Sequence, residues 1–218
     1  HRVDRRQRQM CIRDRYIANT YGRFNVCFEK GKGSLLWDVE GKEYIDLGSG
    51  IGVTAFGVDD DEWSKAVIAQ THALNHISNL YYSVPQIKLA ELLCKRTGMK
   101  KVFFCNSGAE SNECAIKAAR KYSHDKYGDG RNVIVTLVNS FHGRTVTTLS
   151  ATGQDVFHQH FFPFTEGFVH TPANDIDAAL KVLANPAVCA IMMEPIQGEG
   201  GVTVSYTHLR AHETVLDL

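Results

Sequence analysis

The chain has 218 residues, enough for one domain with a substantial core or for one domain and part of another. Lysine plus arginine and aspartate plus glutamate balance at 24 each, so no net field favours nucleic acid or an anionic membrane surface. No run reaches the length of a membrane span, the N-terminus lacks the apolar core of a signal peptide, and the six cysteines form no C-x-x-C pair, which points to a reducing, cytoplasmic compartment without a zinc or disulfide framework.

In chain order, Ser34–Val39 and Glu43–Leu47 flank Glu40-Gly41-Lys42 and predict a β-hairpin. Asp61–Leu74 has helical spacing with Trp63, Val67 and Leu74 on one side. Pro85 suits the first turn of a helix running to Thr97 and stopping at Gly98. Val102–Cys105 reads as a short strand that breaks at Asn106-Ser107-Gly108-Ala109 and becomes a helix, with Glu110 and Glu113 early and Lys117, Arg120 and Lys121 late. Next come a strand at Val133–Val138, a helix at Arg144–Ala151, a weak strand at Phe168–His170, a helix at Ile176–Leu183 and a strand at Val188–Met193. Strands alternating with helices predict an α/β fold, a largely parallel sheet with helices on both faces.

Ligands of such a sheet collect beyond the carboxyl ends of its strands, and three strand ends carry unusual residues. Asn106-Ser107-Gly108-Ala109 opens a helix with unpaired N–H groups aimed at one spot, a cup for phosphate; a plain helix capped by Ser107 fits the same residues. The second strand end is Asn139–Thr145 and the third is Glu194–Gly201, acidic and glycine-rich. Convergence of all three on one cleft is the expectation that follows. A P-loop and a dinucleotide fingerprint are absent, since Gly41-Lys42 is followed by Glu43 and neither Gly31-x-Gly33 nor Gly48-x-Gly50 has its third glycine. Cys105 and Ala109 occupy the glycine positions of a G-x-S-x-G elbow, although a hydrolase using Ser107 and His142 stays conceivable.

Five segments in order, GKGSLLWDVEGKEYIDLGSGIGV, SNLYY, FFCNSGAESNECAIKAARKY, SFHGRT and EPIQGEGGV, resemble the class III pyridoxal-phosphate aminotransferases over Tyr21–Val202. The resemblance implies an aspartate-aminotransferase-like fold, present incompletely. Residues 16–75 would be part of the small domain with a linker helix, and 76–202 the first part of the large cofactor-binding domain. Residues 1–15, with six arginines and no lysine, and residues 203–218 do not follow the family pattern and are expected to be non-native or disordered flanks; a genuine arginine-rich arm is the alternative for the first. A second departure is Gly57–Trp63, where relatives show a Gly-His…His-Pro pattern.

By resemblance, Ser107, Gly108 and Ala109 hold the phosphate of pyridoxal 5'-phosphate, Phe141 stacks on its ring and His142 faces it or is structural. Arg144 clamps a substrate carboxylate, where a planar bidentate donor outperforms lysine. Glu199 pairs with a downstream arginine, Glu194 lies near the cofactor or is structural, and Tyr21 and Asn79–Tyr82 flank the site or pack at a dimer interface. The activity implied is transamination between an ω-amine and 2-oxoglutarate or glutamate in a homodimer, without metal, nucleic acid or membrane. FHGRT with SNLYY favours N2-acetyl-L-ornithine and arginine biosynthesis; ornithine, succinylornithine and 4-aminobutyrate are the alternatives, and a phosphate-ligand-binding module is the non-enzymatic one. The family's Schiff-base lysine lies after EPIQGEGGV, whereas the last lysine here is Lys181. No catalytic lysine is therefore present, and the chain alone is expected to be inactive.

Overall fold

The computed structural model describes residues 5–205, and the chain divides into two compact units between Leu89 and Ala90. The part of the expected C-terminal flank from Tyr206 onward lies outside the described residues.

In the first unit, α1 (Arg5–Tyr16) occupies most of the stretch expected as an N-terminal flank; none of its side chains is buried, and Arg5 pairs with Glu29. Strands β1 (Phe28–Lys32), β2 (Leu35–Asp38) and β3 (Glu43–Ile45) form an antiparallel sheet in that order, so the expected hairpin is present, with Leu36 opposite Tyr44. Buried Asp38 organises the turn by accepting from the Glu40 and Lys42 amides at 2.9 Å each and from the Tyr44 hydroxyl at 3.0 Å. After the irregular turn α2 (Ser49–Gly52) comes α3 (Asp61–Leu74), the helix its spacing predicts. Asp60 caps α3 by accepting from the Trp63 amide at 2.8 Å, and Asp61 and Glu62 favour the positive end of the helix dipole. Its expected inner side is nonetheless exposed at Trp63, Val67 and Leu74. Helix α4 (Val84–Thr97) starts beside Pro85 and contains the boundary between the units.

The second unit opens with an extended run whose expected strand does not form. Val102–Cys105 has no paired strand among the described residues. A strand is defined by its neighbour's hydrogen bonds, so apolar β-formers without an adjacent partner stay irregular. The run leads into α5 (Gly108–Tyr127), followed by β4 (Val133–Leu137), α6 (Val146–Ala151), β5 (Phe168–Thr171), α7 (Ile176–Leu183) and β6 (Val188–Ile191). The three strands form a parallel sheet in the order β5-β4-β6, with Ile134 opposite Phe168 and Val135 opposite Ile191. Central strand β4 is buried at every position from Ile134 to Leu137 although successive side chains point to opposite faces. Both faces of β4 are therefore covered, with α5 packed on β6, and α6 and α7 on β5.

The core joins Ile116 of α5, Leu149 of α6, Ala179 of α7 and Val188 of β6 to the β4 side chains. Alongside it runs a buried polar belt, Ser140, Thr148 and Thr152, that fixes the loop after β4. Asn139 donates its amide to Gly153 O at 2.7 Å, Gly153 donates to Ser140 Oγ at 3.1 Å, and the His142 amide donates to Thr152 Oγ1 at 2.9 Å. Past β6 the chain forms a small hairpin of β7 (Ile196–Gln197) and β8 (Thr203–Val204). Among the described residues no helix is long and apolar enough to cross a membrane.

Candidate active site

Helix α5 begins where the sequence places a phosphate cup. Ser107 sits in extended backbone as the N-cap, and its hydroxyl oxygen accepts from the Glu110 amide at 3.2 Å. The Glu110 carboxylate reaches back to the Asn106 amide at 2.6 Å. Both interactions hold the turn while leaving the first helical N–H groups, those of Gly108 and Ala109, without an intrahelical acceptor. A Cβ on Gly108 would meet nothing within 4 Å, so this face of the turn is open. An open helix start with free amides and a 20-residue dipole behind it suits a dianion.

The loop after β4 is seated directly on this turn. Gly143 has φ +129, and a Cβ there would lie 2.7 Å from Thr148 Oγ1 and 2.8 Å from Ala109 Cβ. Only glycine permits that approach. One turn along the same stripe of α5, Asn112 donates to His142 O at 2.8 Å and Glu113 accepts from the Thr145 hydroxyl. The third strand end joins from the other side. Glu194 accepts the Phe141 amide at 3.0 Å, Gln197 donates to Val138 O at 2.9 Å, and a Cβ on Gly200 would lie 2.3 Å from Asn139 O. The start of α5 and the loops after β4 and β6 therefore meet, through direct contacts between backbones and short polar side chains.

Within this frame Phe141 meets Phe157 edge-on at 5.7 Å, and the Arg144 guanidinium lies 4.8 Å from the Phe157 ring centroid. Arg144 is exposed, and no carboxylate pairs with it among the described residues. It sits in the loop, not in the helix expected from 144 onward. A capping box between Thr145 and Thr148 starts α6 at Val146, which frees Arg144 from helical geometry. His142 is 4% exposed and its Nε2 has no partner. Burial, then the neighbouring His170, pushes its pKa down to about 4, so the ring is neutral at pH 7. No hydrogen bond joins Ser107 to His142, and the hydrolase alternative has no geometric support. Glu194 is raised above the usual carboxylate range by burial and by the charge of Glu199, against the pull of the Phe141 amide. Tyr21 and Asn79–Tyr82 are exposed residues of the first unit.

Sequence reading missed Asn112, Glu113, Gln197 and Phe157. The first two were legible in principle, since they stand three and four positions after Ala109 and so share its helix stripe. Gln197 stands inside EPIQGEGGV, but nothing local marks its bond to Val138 O, and Phe157 carries no local signal.

Known proteins resemble this chain in sequence and in backbone fold. An acetylornithine aminotransferase of Haemophilus ducreyi is 57% identical over 187 residues, 86% of this chain and 48% of that protein. One from Gloeobacter violaceus is 47% identical over 189 residues, 87% of this chain and 47% of that protein. The chain thus spans about half the length of the curated relatives it matches. Among solved structures, an ornithine aminotransferase of Toxoplasma gondii superposes with a TM-score of 0.89 at 29% identity over 97% of this chain and 51% of that one. An N-acetylornithine aminotransferase of Stenotrophomonas maltophilia gives 0.75 at 34% identity, over 95% and 50% of the two chains. A second Toxoplasma gondii ornithine aminotransferase structure is described with partial occupancy of PLP at its active site. The profile described as Aminotransferase class-III matches residues 16–212, and the chain belongs to that family.

Proposed function

We propose that this chain is the phosphate- and carboxylate-binding part of an aminotransferase that exchanges an amino group between N2-acetyl-L-ornithine and 2-oxoglutarate. Pyridoxal phosphate is the cofactor of the family. The observation that carries the reading is the seating of Gly143 on Ala109. It sets the free amides of the α5 turn beside the loop that bears Phe141 and Arg144.

The residues present fit that cofactor in part. Ser107, Gly108 and Ala109 would hold its phosphate, the first with a hydroxyl and the others with amides. Phe141, its amide fixed by Glu194, would cover the ring, and the buried, neutral His142 would form the floor through its main chain. When bound, the cofactor supplies an electron sink for cleaving the bonds at the amine carbon. The lysine that such chemistry requires for covalent attachment and proton transfer is not among the residues after Lys181.

Arg144, which no carboxylate of the described residues pairs, would take a carboxylate of donor or keto acid through its in-plane N–H groups. Glu199 would pair with a downstream arginine. Identity of 57% to an acetylornithine aminotransferase favours the acetylated donor. The closer backbone superposition on an ornithine aminotransferase favours ornithine as the second reading. In the same proposal the complete protein is a cytoplasmic homodimer of arginine biosynthesis, consistent with its six free cysteines.

The test is a donor panel on the polypeptide completed with its downstream reading frame, followed by cofactor absorbance and glutamate formation. Acetylornithine should give the highest kcat/KM. A preference for ornithine or 4-aminobutyrate would refute the substrate assignment, and absence of cofactor absorbance would refute the whole reading.

A further inference from the structure

Resting on that reading, one residue outside every matched motif stands between the two groups that would handle cofactor and substrate. Phe157 meets Phe141 edge-on at 5.7 Å and interplanar 70°, and carries the Arg144 guanidinium 4.8 Å from its ring centroid. Its own place is fixed from both sides. It ends the 3-10 turn Asp155–Phe157, with its amide donating to Gln154 O at 3.1 Å, and the Gln154 side chain donates to Ser140 O at 3.2 Å. On the other side, His158 Nε2 lies 3.1 Å from Leu149 O and 2.7 Å from Thr152 O. Carbonyls only accept, so that nitrogen bears the proton and ties the turn to the end of α6.

A long arginine side chain loses much rotamer freedom when it must meet a ligand in one geometry. An aromatic face beneath the guanidinium restricts it beforehand and leaves the in-plane N–H groups open to a carboxylate. We propose that Phe157 is a positioning residue for the carboxylate clamp: its ring holds Arg144 in place and links it to Phe141, so that ring cover and carboxylate capture share one support.

The test uses the completed polypeptide with its cofactor and the variants Phe157→Leu, Phe157→Tyr and Arg144→Ala. Glutarate, a dicarboxylate without an amine, probes the clamp by titration calorimetry. Phe157→Leu should weaken glutarate roughly three- to tenfold and raise KM for the carboxylate-bearing donor by the same factor with kcat held within about twofold. Phe157→Tyr, which keeps the ring face, should restore both. In the Arg144→Ala background, Phe157→Leu should have no further effect on glutarate. Phe157→Met serves the same arm if the leucine variant does not fold. Unchanged glutarate affinity in Phe157→Leu overturns the proposal. So does an equal KM rise for the decarboxylated amine of the same donor, or full additivity with Arg144→Ala. If Arg144→Ala itself leaves glutarate binding unchanged, the fault lies in the assignment of Arg144, and the inference falls with it.

Discussion

Replacing Gly143 by alanine puts a methyl group into the junction between the α5 turn and the loop after β4. The new Cβ would sit 2.7 Å from Thr148 Oγ1, 2.8 Å from Ala109 Cβ and 3.1 Å from Ala109 Cα. None of these neighbours can swing aside. Thr148 is fully buried and engaged in the α6 capping box, and Ala109 has no flexible end. Overpacking of this kind costs about 1–3 kcal/mol, and a φ of +129 adds strain of about 1–3 kcal/mol for a residue with a side chain. The combined loss should be about 2–4 kcal/mol of folding free energy, because movement that relieves the clash also relieves part of the strain. The control is Gly108→Ala, one residue from Ala109 in the same turn, where a Cβ meets nothing within 4 Å. There stability should stay within about 1 kcal/mol of the parent, since alanine is the better helix former. Urea denaturation of the cofactor-free protein, compared at constant m, gives both values. Equal stability of the two variants would refute the claim that Gly143 is seated on the cup, and with it the geometry on which the functional reading rests.

Protonation of His142 should destabilise the fold in acid. Its folded pKa is about 4 against about 6.5 unfolded, so the unfolded chain binds the proton first as pH falls. Stability is then complete above about pH 6.5 and declines by up to about 3 kcal/mol towards pH 4; a His142→Gln variant with the same pH slope as the parent would remove this residue as the cause. Glu194→Ala leaves the Phe141 amide without its acceptor and should cost about 1–3 kcal/mol, whereas Glu194→Gln, which keeps an accepting oxygen, should cost less by urea midpoint. In the completed polypeptide, Arg144→Ala should lower kcat/KM for the carboxylate-bearing donor by about 1.5–3 kcal/mol, and an unchanged value would take Arg144 out of the substrate site.

Much of the site could be read locally. Ser107 followed by Glu110 marks a helix start whichever fold surrounds it, and the helix expected there is the observed α5. The helices at 61–74, 84–97 and 176–183 likewise follow from capping acids, Pro85 and Gly98, because those signals act within one turn. Where the reading slipped, a competing local device had the same look. Thr145 and Thr148 cap each other, so α6 begins two residues later than its apolar spacing suggests. Val102–Cys105 has strand composition but no adjacent strand among the described residues.

What the chain's order of residues determined by itself is therefore a set of elements with their ends, and the chemistry placed at each end. Turns, caps and dipoles depend on atoms a few bonds apart. Only the tertiary structure decided that Gly143 rests on Ala109, that Glu194 holds the amide of Phe141, and that Phe157 lies under Arg144. Those contacts join residues distant along the chain: the parallel pairing of β4 with β6 sets the loops after them side by side, and the seat of Gly143 on Ala109 adds the start of α5.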